Sequence, residues 1–362
     1  MSYRVVHVAS GREWRGGQNQ VRLLAGALAR RGDIDQLVIT GRGTELARRL
    51  ENEAIPFRTT AWSSSLDPRV LIATIRESRR GSRLKHTTIL HAHDAHALVL
   101  AGVAARFTGA RLVVTRRVDF HLRRPGFWHR ADRVIAISDA VRAILLEDGI
   151  RPERVTVVHS GIDAAEVRAA PGFDIRRRLG LPGDARIAVN VAALVGHKDQ
   201  STLVAAAAAL AERQPELHWV VAGEGPLRST LEQQIVDRNV TDRVHLLGST
   251  PNAWGLIAES DVFVMSSREE GLGTSVLDAL ALGVPVAATR AGGIPEILGD
   301  GAGLLVPTGD PDALAAAVET LLADRVCREA VRVAGTRALT RFSADGMADG
   351  ILAVYRSLTS TG

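Results

Sequence analysis

The sequence predicts an α/β protein with two doubly wound domains, each a parallel sheet covered by helices. Short runs rich in β-branched residues alternate with stretches of helical periodicity, which is typical of parallel βαβ units. The alternation stops near residues 161–171 and then begins again. With 362 residues, the chain is long enough for two such domains; since 46% of residues are apolar but only 4% aromatic, both cores must be aliphatic.

The predicted elements follow this alternation in chain order. Each strand is a short run dominated by Val, Ile and Leu, and each helix has apolar residues spaced three or four apart. In the first half, strands are expected at residues 4–9, 36–40, 89–92, 112–115, 133–137 and 155–159, and helices at 18–31, 67–80, 95–107 and 139–148. In the second half, strands are expected at residues 187–191, 218–222, 244–247, 262–265, 284–287 and 303–306, and helices at 201–213, 227–238, 274–282, 311–322 and 324–338.

The break in periodicity divides the chain into parts. We expect a first domain over residues 1–165, a second over 166–341 and a C-terminal helix within 342–362. This last part has apolar residues at helical spacing, namely Met347, Ile351, Leu352, Val354, Tyr355 and Leu358. It either crosses back onto the first domain or forms a simple terminal helix. Ligands of doubly wound sheets bind beyond the carboxyl ends of the strands, so we expect a cleft between two facing domains.

Composition favours the cytoplasm. The first residues read as a buried strand and not as a secretory leader, and no apolar run approaches the roughly 20 residues of a membrane-spanning helix. One cysteine, Cys327, excludes an internal disulfide and is most simply a structural thiol.

The charge differs between the halves. Residues 1–170 have 28 basic and 17 acidic side chains, whereas residues 171–362 have 17 and 23. The basic half favours an anionic partner: a phosphorylated acceptor, an acidic membrane surface or a nucleic acid. Of these we expect an anionic acceptor or an acidic membrane surface, the latter as peripheral association at the inner face of a membrane, and no nucleic acid.

Residues 266–296 are the most informative segment. A strand end is followed by Glu270, a glycine turn, a helix start and Asp278. A glycine turn that opens a helix presents backbone N–H groups to an anion, and Thr274 or Ser275 can cap the helix. Acids on either side of the turn can bind hydroxyl groups. A phosphate flanked by polyols is a nucleotide sugar.

This segment, with three others, resembles glycosyltransferases of family 4, which have the GT-B fold of two Rossmann-like domains. The others are ADRVIAIS at 131–138, VVHSGID at 157–163 and VVAGEGP at 220–226. The resemblance covers nearly the whole chain. It implies a retaining transfer of a hexose-type sugar from a nucleotide-sugar donor held mainly by the second domain. It further implies no metal, no cofactor and a setting in cell-envelope glycan or glycolipid synthesis.

By this resemblance, Glu270 faces the donor sugar as a catalytic residue and Asp278 faces the ribose hydroxyls. The family pattern is an acid, seven residues and a glutamate; the spacing holds here, but the second acid is Asp, which is one methylene shorter. The ribose and the helix must therefore lie closer to each other than in family members that have glutamate at this position. The expected donor-binding residues between the two acids are Gly271, Leu272, Gly273, Thr274 and Ser275.

Lys198 is the second expected catalytic residue. It follows a predicted strand, and its ammonium could neutralise the leaving diphosphate. Most family members carry an arginine shortly before this lysine, but the matching place here is about Ala193. The second cation must then come from Arg268, from His197 or from an arginine of the first domain, and the sequence does not choose among them.

Three turns complete the predicted donor site. Two of them are expected to shape the pocket for the nucleotide base, and the third, after the first strand, to approach the phosphates. Each is also a plausible structural turn, since short glycine motifs are weak signals. The residues are Glu224 and Gly225, Gly248 and Ser249, and Gly16 and Gly17.

Two segments of the first half are assigned to the acceptor. His91 and His93 alternate on a predicted strand that Asp94 follows, so the histidines point to one face. A metal site is the alternative reading, but no third ligand cluster is evident. We expect His93 to face the acceptor.

The segment 115–130 has five arginines interleaved with aromatic residues. Many family members have a histidine here, where this chain has Arg116 and Arg117. The segment could bind an anionic acceptor, dock on acidic lipid or be a solvated basic loop. The expected acceptor-side residues are Arg116, Arg117, Asp119 and His121.

Three other functions are weighed. A nucleotide-sugar epimerase of similar shape would need no acceptor site, which the basic first half argues against. A non-catalytic sugar-binding protein would need no diphosphate pocket. An NAD-dependent oxidoreductase is weaker still, because the first βα turn lacks the Gly-x-Gly-x-x-Gly pattern.

Overall fold

The computed structural model of the chain describes residues 3–32, 34–64, 66–83, 86–122 and 126–358. It divides into two units: Met1–Gly161 together with Ser343–Gly362, and Ile162–Phe342. Residues 123–125 of the arginine-rich segment and 359–362 of the predicted C-terminal part lie outside the described residues. Within the described ranges, every helix is too short or too polar to cross a bilayer.

In the described part of the first unit, seven parallel strands form one sheet. They are β1 (Tyr3–Val8), β2 (Ile34–Gly41), β3 (Phe57–Thr60), β4 (Thr87–Ala92), β5 (Arg111–Arg116), β6 (Arg133–Ala136) and β7 (Val155–Val157). Their order across the sheet is β3-β2-β1-β4-β5-β6-β7. The order of winding reverses between β1 and β4, so the loops after these two strands flank the position where doubly wound sheets bind ligands.

Helices connect these strands and cover the sheet. They are α1 (Gly16–Arg31), α2 (Glu45–Asn52), α3 (Pro68–Arg83), α4 (Ala95–Thr108) and α5 (Asp139–Glu147). Side chains cap three of them: Thr44 accepts from the Ala47 amide at α2, Asp94 from the Ala97 amide at α4, and Ser138 from the Val141 amide at α5. At the start of α1, Arg15 makes no such bond, and the first turn has no acid.

The second unit repeats this plan with a six-stranded parallel sheet over the residues described. Its strands are β8 (Arg186–Val191), β9 (Leu217–Ala222), β10 (Val244–Gly248), β11 (Val262–Met265), β12 (Val286–Thr289) and β13 (Leu304–Val306). The order is β10-β9-β8-β11-β12-β13, so the switch point lies between β8 and β11. Both units are Rossmann-like, and the predicted fold class is confirmed.

The helices of the second unit differ widely in length. They are α6 (Ala164–Arg168), α7 (Ile175–Leu179), α8 (Gln200–Leu210), α9 (Arg228–Asp237), α10 (Ala253–Ala258), α11 (Thr274–Ala281), α12 (Ile294–Leu298), α13 (Pro311–Ala323) and α14 (Arg325–Ala338). The main core of this unit packs α8 and α13 against the sheet around buried Trp219.

The C-terminal helix α15 (Ala344–Ser357) belongs to the first unit. Its apolar face packs with Leu24 and Leu28 of α1 and with Ile89 of the sheet. At the surface, arginines of α1 hold its acidic residues: Arg30 bonds to Asp345 at 2.8 Å, and Arg31 bonds to Asp349 at 2.6 Å. Of the two arrangements left open by the sequence, the structure has the helix that crosses back.

The structure differs from the sequence prediction mainly in its short elements. The edge strand β3 and the helix α2 were not predicted, nor were α6, α7, α10 and α12, which have only five or six residues and so show no period. The strand predicted at 284–287 lies two residues later, at β12. Pro285 explains the shift, because proline has no N–H to donate to the sheet.

Candidate active site

Lys198 and Glu270 form an ion pair at the switch point of the second unit. Lys198 ends a short 3-10 turn after β8, and Glu270 lies in the loop after β11, so neighbouring parallel strands bring the two together. The side chains are 17% and 14% exposed, respectively, so solvent still reaches both. The hydroxyl of Ser267 donates a hydrogen bond to the Glu270 carboxylate at 3.4 Å. A charged pair that is accessible at a switch point can exchange partners with an anionic ligand.

The backbone around this pair is held by several bonds. The hydroxyl of Ser266 donates to the Lys198 carbonyl at 3.0 Å, and the hydroxyl of Thr289 donates to the Ser267 carbonyl at 2.5 Å. The amide of Gly293 donates to the Glu270 carbonyl at 2.9 Å. The loops after β8, β11 and β12 are therefore tied to one another, which fixes the two charged side chains in position.

Arg268 lies on the same loop as Glu270 and is tied to the loop of Lys198. Its guanidinium donates to Asp199 at 2.7 Å, and its amide donates to the His197 carbonyl at 2.8 Å. Asp199 has a left-handed backbone with φ of 46°, and its carboxylate also accepts from Thr202 at 2.7 Å. The bond to Asp199 raises the pKa of Arg268. Arg268 is one of the three candidates for the second cation. Its side chain is held beside the Lys198 loop and remains 61% exposed.

The glycine turn opens α11 differently from the prediction. Gly273 stands at the N-cap with φ of 93°, and no side chain bonds the first-turn amides there. The prediction that Thr274 or Ser275 caps the helix was wrong: Thr274 is already the first helical residue. A φ of 93° favours glycine, and because glycine has no side chain to cap the helix, the first-turn amides can bond to an anion. The neighbouring Gly271 and Leu272 are buried.

Asp278 lies one turn into α11, partly exposed, beside α6 and α10. Burial raises the pKa of its carboxyl to about 7; a hydrogen bond from the side chain of Trp254 opposes the shift, and the charge of Glu166 adds to it. The carboxyl is therefore about half ionised at neutral pH. The sequence reasoning missed Trp254 and Glu166, which are far away in the chain and carry no motif.

The turn after β9 approaches the loop after β8 closely. A Cβ on Gly225 would lie 2.3 Å from the Leu194 carbonyl oxygen, and one on Gly223 would lie 1.9 Å from that of Ala192. Both positions therefore require glycine. Gly223 was missed from the sequence, although it stands two residues before Gly225 in the same motif.

The turn after β10 lies beside this one. The amide of Gly223 donates to the Gly248 carbonyl at 2.9 Å, and a Cβ on Gly248 would meet the carboxylate of Glu224 at 2.9 Å. Arg228 holds that carboxylate at 2.8 Å. Ser249 follows, exposed to solvent. The structure thus brings together Glu224, Gly225, Gly248 and Ser249 at the carboxyl ends of β9 and β10.

In the first unit, Arg117 lies against the start of α1. A Cβ on Gly17 would be 3.7 Å from the Arg117 side chain, and Gly16 is the first helical residue. The guanidinium is 3.4 Å from His93 Nδ1. Burial lowers the pKa of Arg117 to about 10, and the charge of Asp94 opposes this. Gly16, Gly17, His93 and Arg117 therefore share the switch point of this unit.

His93 belongs to a buried cluster with His7 and His91, in which one ring nitrogen from each histidine lies within 4.8 Å of one from each of the others. Hydrogen bonds explain the arrangement. His7 Nδ1 meets His93 Nε2 at 3.0 Å, while His91 is bonded on both sides, to the Tyr355 hydroxyl at 2.6 Å and the Thr115 hydroxyl at 2.7 Å. Burial lowers the pKa of each imidazole, that of His7 to about 4, so the rings are neutral. With both its nitrogens engaged, His91 has none to offer a metal.

The sequence reasoning did not include His7 or Tyr355 in this cluster. For His7 a signal exists: β1 and β4 are parallel neighbours, and His7 stands opposite His91 in the register. Tyr355 comes from α15, and only the tertiary position of that helix brings it to His91.

The other predicted acceptor-side residues lie apart from His93 and Arg117. Arg116 donates to the Phe120 carbonyl and lies 5.3 Å from the centre of the Trp128 ring, in a cavity of about 660 Å³. Burial lowers the pKa of Arg116, and nearby acids including Asp119 oppose the shift. His121 also lines the cavity, but it bonds to Asp148, which raises the pKa of the imidazole.

Two family models match the chain. The model described as Glycosyltransferase Family 4 matches residues 14–166, and the one described as Glycosyl transferases group 1 matches residues 173–338.

Among curated relatives, a GDP-mannose-dependent alpha-(1-6)-phosphatidylinositol monomannoside mannosyltransferase of Mycolicibacterium smegmatis is 34% identical, over 67% of this chain and 69% of that protein. The lipopolysaccharide core biosynthesis glycosyltransferase LpsE of Rhizobium meliloti is 28% identical, over 98% of this chain and 99% of that protein. A D-inositol 3-phosphate glycosyltransferase of Kineococcus radiotolerans is 34% identical over 62% of this chain. The chain spans only 57% of that relative's length.

Solved structures share the fold over the whole chain. A glycosyltransferase from Rickettsia africae has a TM-score of 0.85 at 18% identity, with full coverage of both chains. Anabaena HepE in complex with UDP-glucose has a TM-score of 0.83 at 22% identity, covering 98% of this chain and 99% of that one. The sequence matches on both halves of the chain, together with this shared fold, lead to one assignment. The chain belongs to glycosyltransferase family 4.

Proposed function

We propose that the protein is a retaining glycosyltransferase that moves a hexose-type sugar from a nucleotide-sugar donor to an acceptor, without a metal, in cell-envelope glycan or glycolipid synthesis. The observation that carries this proposal is the Lys198–Glu270 pair beside the uncapped glycine turn of α11. This arrangement offers a cation and backbone amides to a diphosphate, and a carboxylate to a sugar. Family membership and relatives named for glycolipid and lipopolysaccharide synthesis support it.

Lys198 would serve as the counter-charge of the leaving group. Negative charge builds on the diphosphate as the bond to the sugar breaks, and an ammonium at that position lowers the barrier. The first-turn amides of α11 would also stabilise the diphosphate, since the positive end of a helix dipole favours phosphate. Arg268, exposed on the neighbouring loop, would be the second cation that many relatives carry near the position of Ala193.

Glu270 would bind the donor sugar. In the unliganded protein, its carboxylate is paired with Lys198. A diphosphate competes for the lysine and leaves the carboxylate to accept hydroxyl groups from the hexose. Holding the sugar by its hydroxyls orients the reacting carbon toward an acceptor.

The nucleoside would lie along α11 and the turns after β9 and β10. Asp278, as a carboxylate, would accept the ribose hydroxyls, and Glu224, Gly225, Gly248 and Ser249 would shape the base pocket. The close approach of Gly225 to the Leu194 carbonyl holds the turn after β9 against the loop after β8, which supports this role by fixing the two loops side by side.

We assign the acceptor to the basic first unit. Arg117, with His93 beside it, would bind an anionic group of the acceptor, and Gly16 and Gly17 leave their backbone accessible to it. The reaction would take place in the cytoplasm, with the protein peripherally attached to the inner face of the membrane. Retention requires that the acceptor hydroxyl attack from the leaving-group side or that a covalent intermediate form, and no residue is assigned as a nucleophile.

A ligand screen followed by a transfer assay tests the proposal. The thermal midpoint of the purified protein would be measured with UDP, GDP, ADP and CMP sugars, and the best donor would then be incubated with membrane extracts. We expect one donor to raise the midpoint and its sugar to be transferred. Isomerisation of the donor with no acceptor present would favour the epimerase instead, and stabilisation by free sugars alone would favour a sugar-binding protein.

A further inference from the structure

Helix α3 presents a basic and apolar face to solvent that the donor and acceptor sites do not use. Arg69, Ile72, Arg76 and Arg79 follow one another three or four residues apart and are exposed, as is Arg80. Residues at this spacing lie along one side of a helix. We call these five residues the α3 face.

The acids of this helix are turned inward, so the α3 face has one sign of charge. Glu77 is 2% exposed and holds Arg4 at 2.7 Å and Arg58 at 2.9 Å. Asp67, just before the helix, is also buried; it bonds Ser63 and forms an ion pair with Arg69 at 2.7 Å, so the charge of Arg69 is balanced. Within the described residues, Arg76, Arg79 and Arg80 form no ion pair.

Close packing prevents the helix from turning this face inward. A Cβ on Gly81 would lie 2.4 Å from the Thr88 hydroxyl and 2.9 Å from the Arg4 side chain, so the end of the helix rests directly on the sheet. On the same side, Val70 and Thr74 are fully buried. The outward direction of the arginines is therefore set by the core.

Exposed apolar side chains stand among the arginines. Ile72 is 64% exposed, and Leu66, just before the helix, is 62% exposed. Beside them is a hollow of about 760 Å³. Its walls are Ile72, Ile75, the arginines Arg58, Arg76, Arg79 and Arg80, and the acid Glu77, which pairs with Arg58. Aliphatic groups that can enter the acyl boundary, next to guanidinium groups at the height of phosphates, are typical of helices that lie on anionic bilayers.

Helix α14 also exposes apolar side chains, and comparing it with the α3 face shows that the two surfaces differ in charge. On α14, Val326 is 81% and Val333 41% exposed, so apolar exposure there is comparable. The α14 surface also carries an acidic side chain, however, because Glu329 lies there and accepts a bond from Arg332 at 2.7 Å. Residues 171–362 are moreover acidic overall. Attraction to an anionic surface is therefore expected at α3 and not at α14.

We propose that the α3 face docks the protein on an anionic lipid bilayer, with Ile72 and Leu66 at the level of the headgroups and the arginines on lipid phosphates. The inference rests on the proposed function only in placing the enzyme at a membrane, and it assigns the residues that hold it there. Docking needs neither donor nor catalysis, so it can be tested separately.

The test is sedimentation of the full chain with vesicles of phosphatidylcholine alone or mixed with phosphatidylglycerol. We expect binding only to the anionic vesicles, weakening as salt rises. Each arginine near an anionic surface contributes about fivefold in affinity. The triple reversal Arg76→Glu, Arg79→Glu and Arg80→Glu removes three such contributions and adds repulsion, so it should weaken binding by at least on the order of 100-fold. The matched control reverses Arg238, Arg325 and Arg337, which are exposed on the second unit and give the same change in net charge.

The two triple variants decide the proposal. Loss of binding in the α3 variant with retention in the control supports it; equal loss in both would mean that net charge alone attracts the protein and would overturn it. Ile72→Ser should weaken vesicle binding at high salt more than at low salt. If it has no effect, the apolar side chains do not contribute to docking, and that part of the proposal is wrong. Binding to RNA but not to vesicles would also overturn the proposal. Unchanged thermal midpoints and donor shifts in all variants separate these outcomes from misfolding and from failure of the proposed function.

Discussion

The two units place different chemistry at the same point of the same fold. In the second unit, the switch point carries an ammonium and a carboxylate that neutralise each other and remain partly exposed. In the first, it carries the Arg117 guanidinium among neutral, buried histidines. A balanced pair can take up a ligand that has both an anion and hydroxyls. Among the described residues no carboxylate bonds the Arg117 guanidinium, so it can select an anion alone. The difference accords with a donor site in one unit and an acceptor site in the other.

The largest loss of transfer activity is expected on replacing Glu270. Glu270→Ala removes the carboxylate that would bind the donor sugar and should abolish measurable transfer; it should also lower the free energy of unfolding, because Lys198, only 17% exposed, loses its ion-pair partner. Glu269→Ala, one residue earlier and exposed, is the matched control and should transfer normally. Turnover like that of the wild type in Glu270→Ala would remove this residue from the site.

Lys198 is expected to have the next largest effect. Lys198→Ala removes the counter-charge of the leaving diphosphate and should slow transfer by on the order of 100-fold or more. Steady-state kinetics over a range of donor concentrations would measure this. Lys198→Arg keeps the charge and should recover part of the rate. If both variants behaved like the wild type, the ion pair would be structural only.

A smaller effect, dependent on pH, is expected at Asp278. Its pKa is about 7, so the carboxylate that accepts ribose hydroxyls is the minor form at pH 6 and the major form at pH 8. Donor affinity should therefore rise by up to about tenfold over this range. Calorimetric titration with the donor would measure it, and Asp278→Asn should flatten the profile. The same pH dependence in that variant would assign the titration to another group.

The smallest effect is expected in the first unit, on stability. Tyr355→Phe leaves the Nδ1 of buried His91 without its partner and should lower the free energy of unfolding by about 1–3 kcal/mol. Denaturation in urea would measure this. In a His91→Leu background, the same substitution should cost much less, as a double-mutant cycle requires. Equal costs in both backgrounds would mean that the hydroxyl contributes nothing through His91.

Periodicity sufficed to predict every described strand of the two sheets except β3, because buried parallel strands are uninterrupted aliphatic runs. It did not predict β3, a short edge strand, or the helices of five and six residues, which are too short for a period. The pairing of Lys198 with Glu270 follows from their places after neighbouring strands. The contacts that set the pKa of Asp278, and the bond of Tyr355 to His91, depend on tertiary packing between distant segments and have no sequence signal.

The central claim is that Lys198 recognises the diphosphate of a donor. Calorimetry on the wild type and on Lys198→Ala tests it most directly, using the nucleoside diphosphate and the nucleoside monophosphate of the preferred base. The account predicts that the wild type binds the diphosphate more tightly and that the variant loses most of this preference while its affinity for the monophosphate changes little. The same preference for diphosphate in both proteins would contradict it.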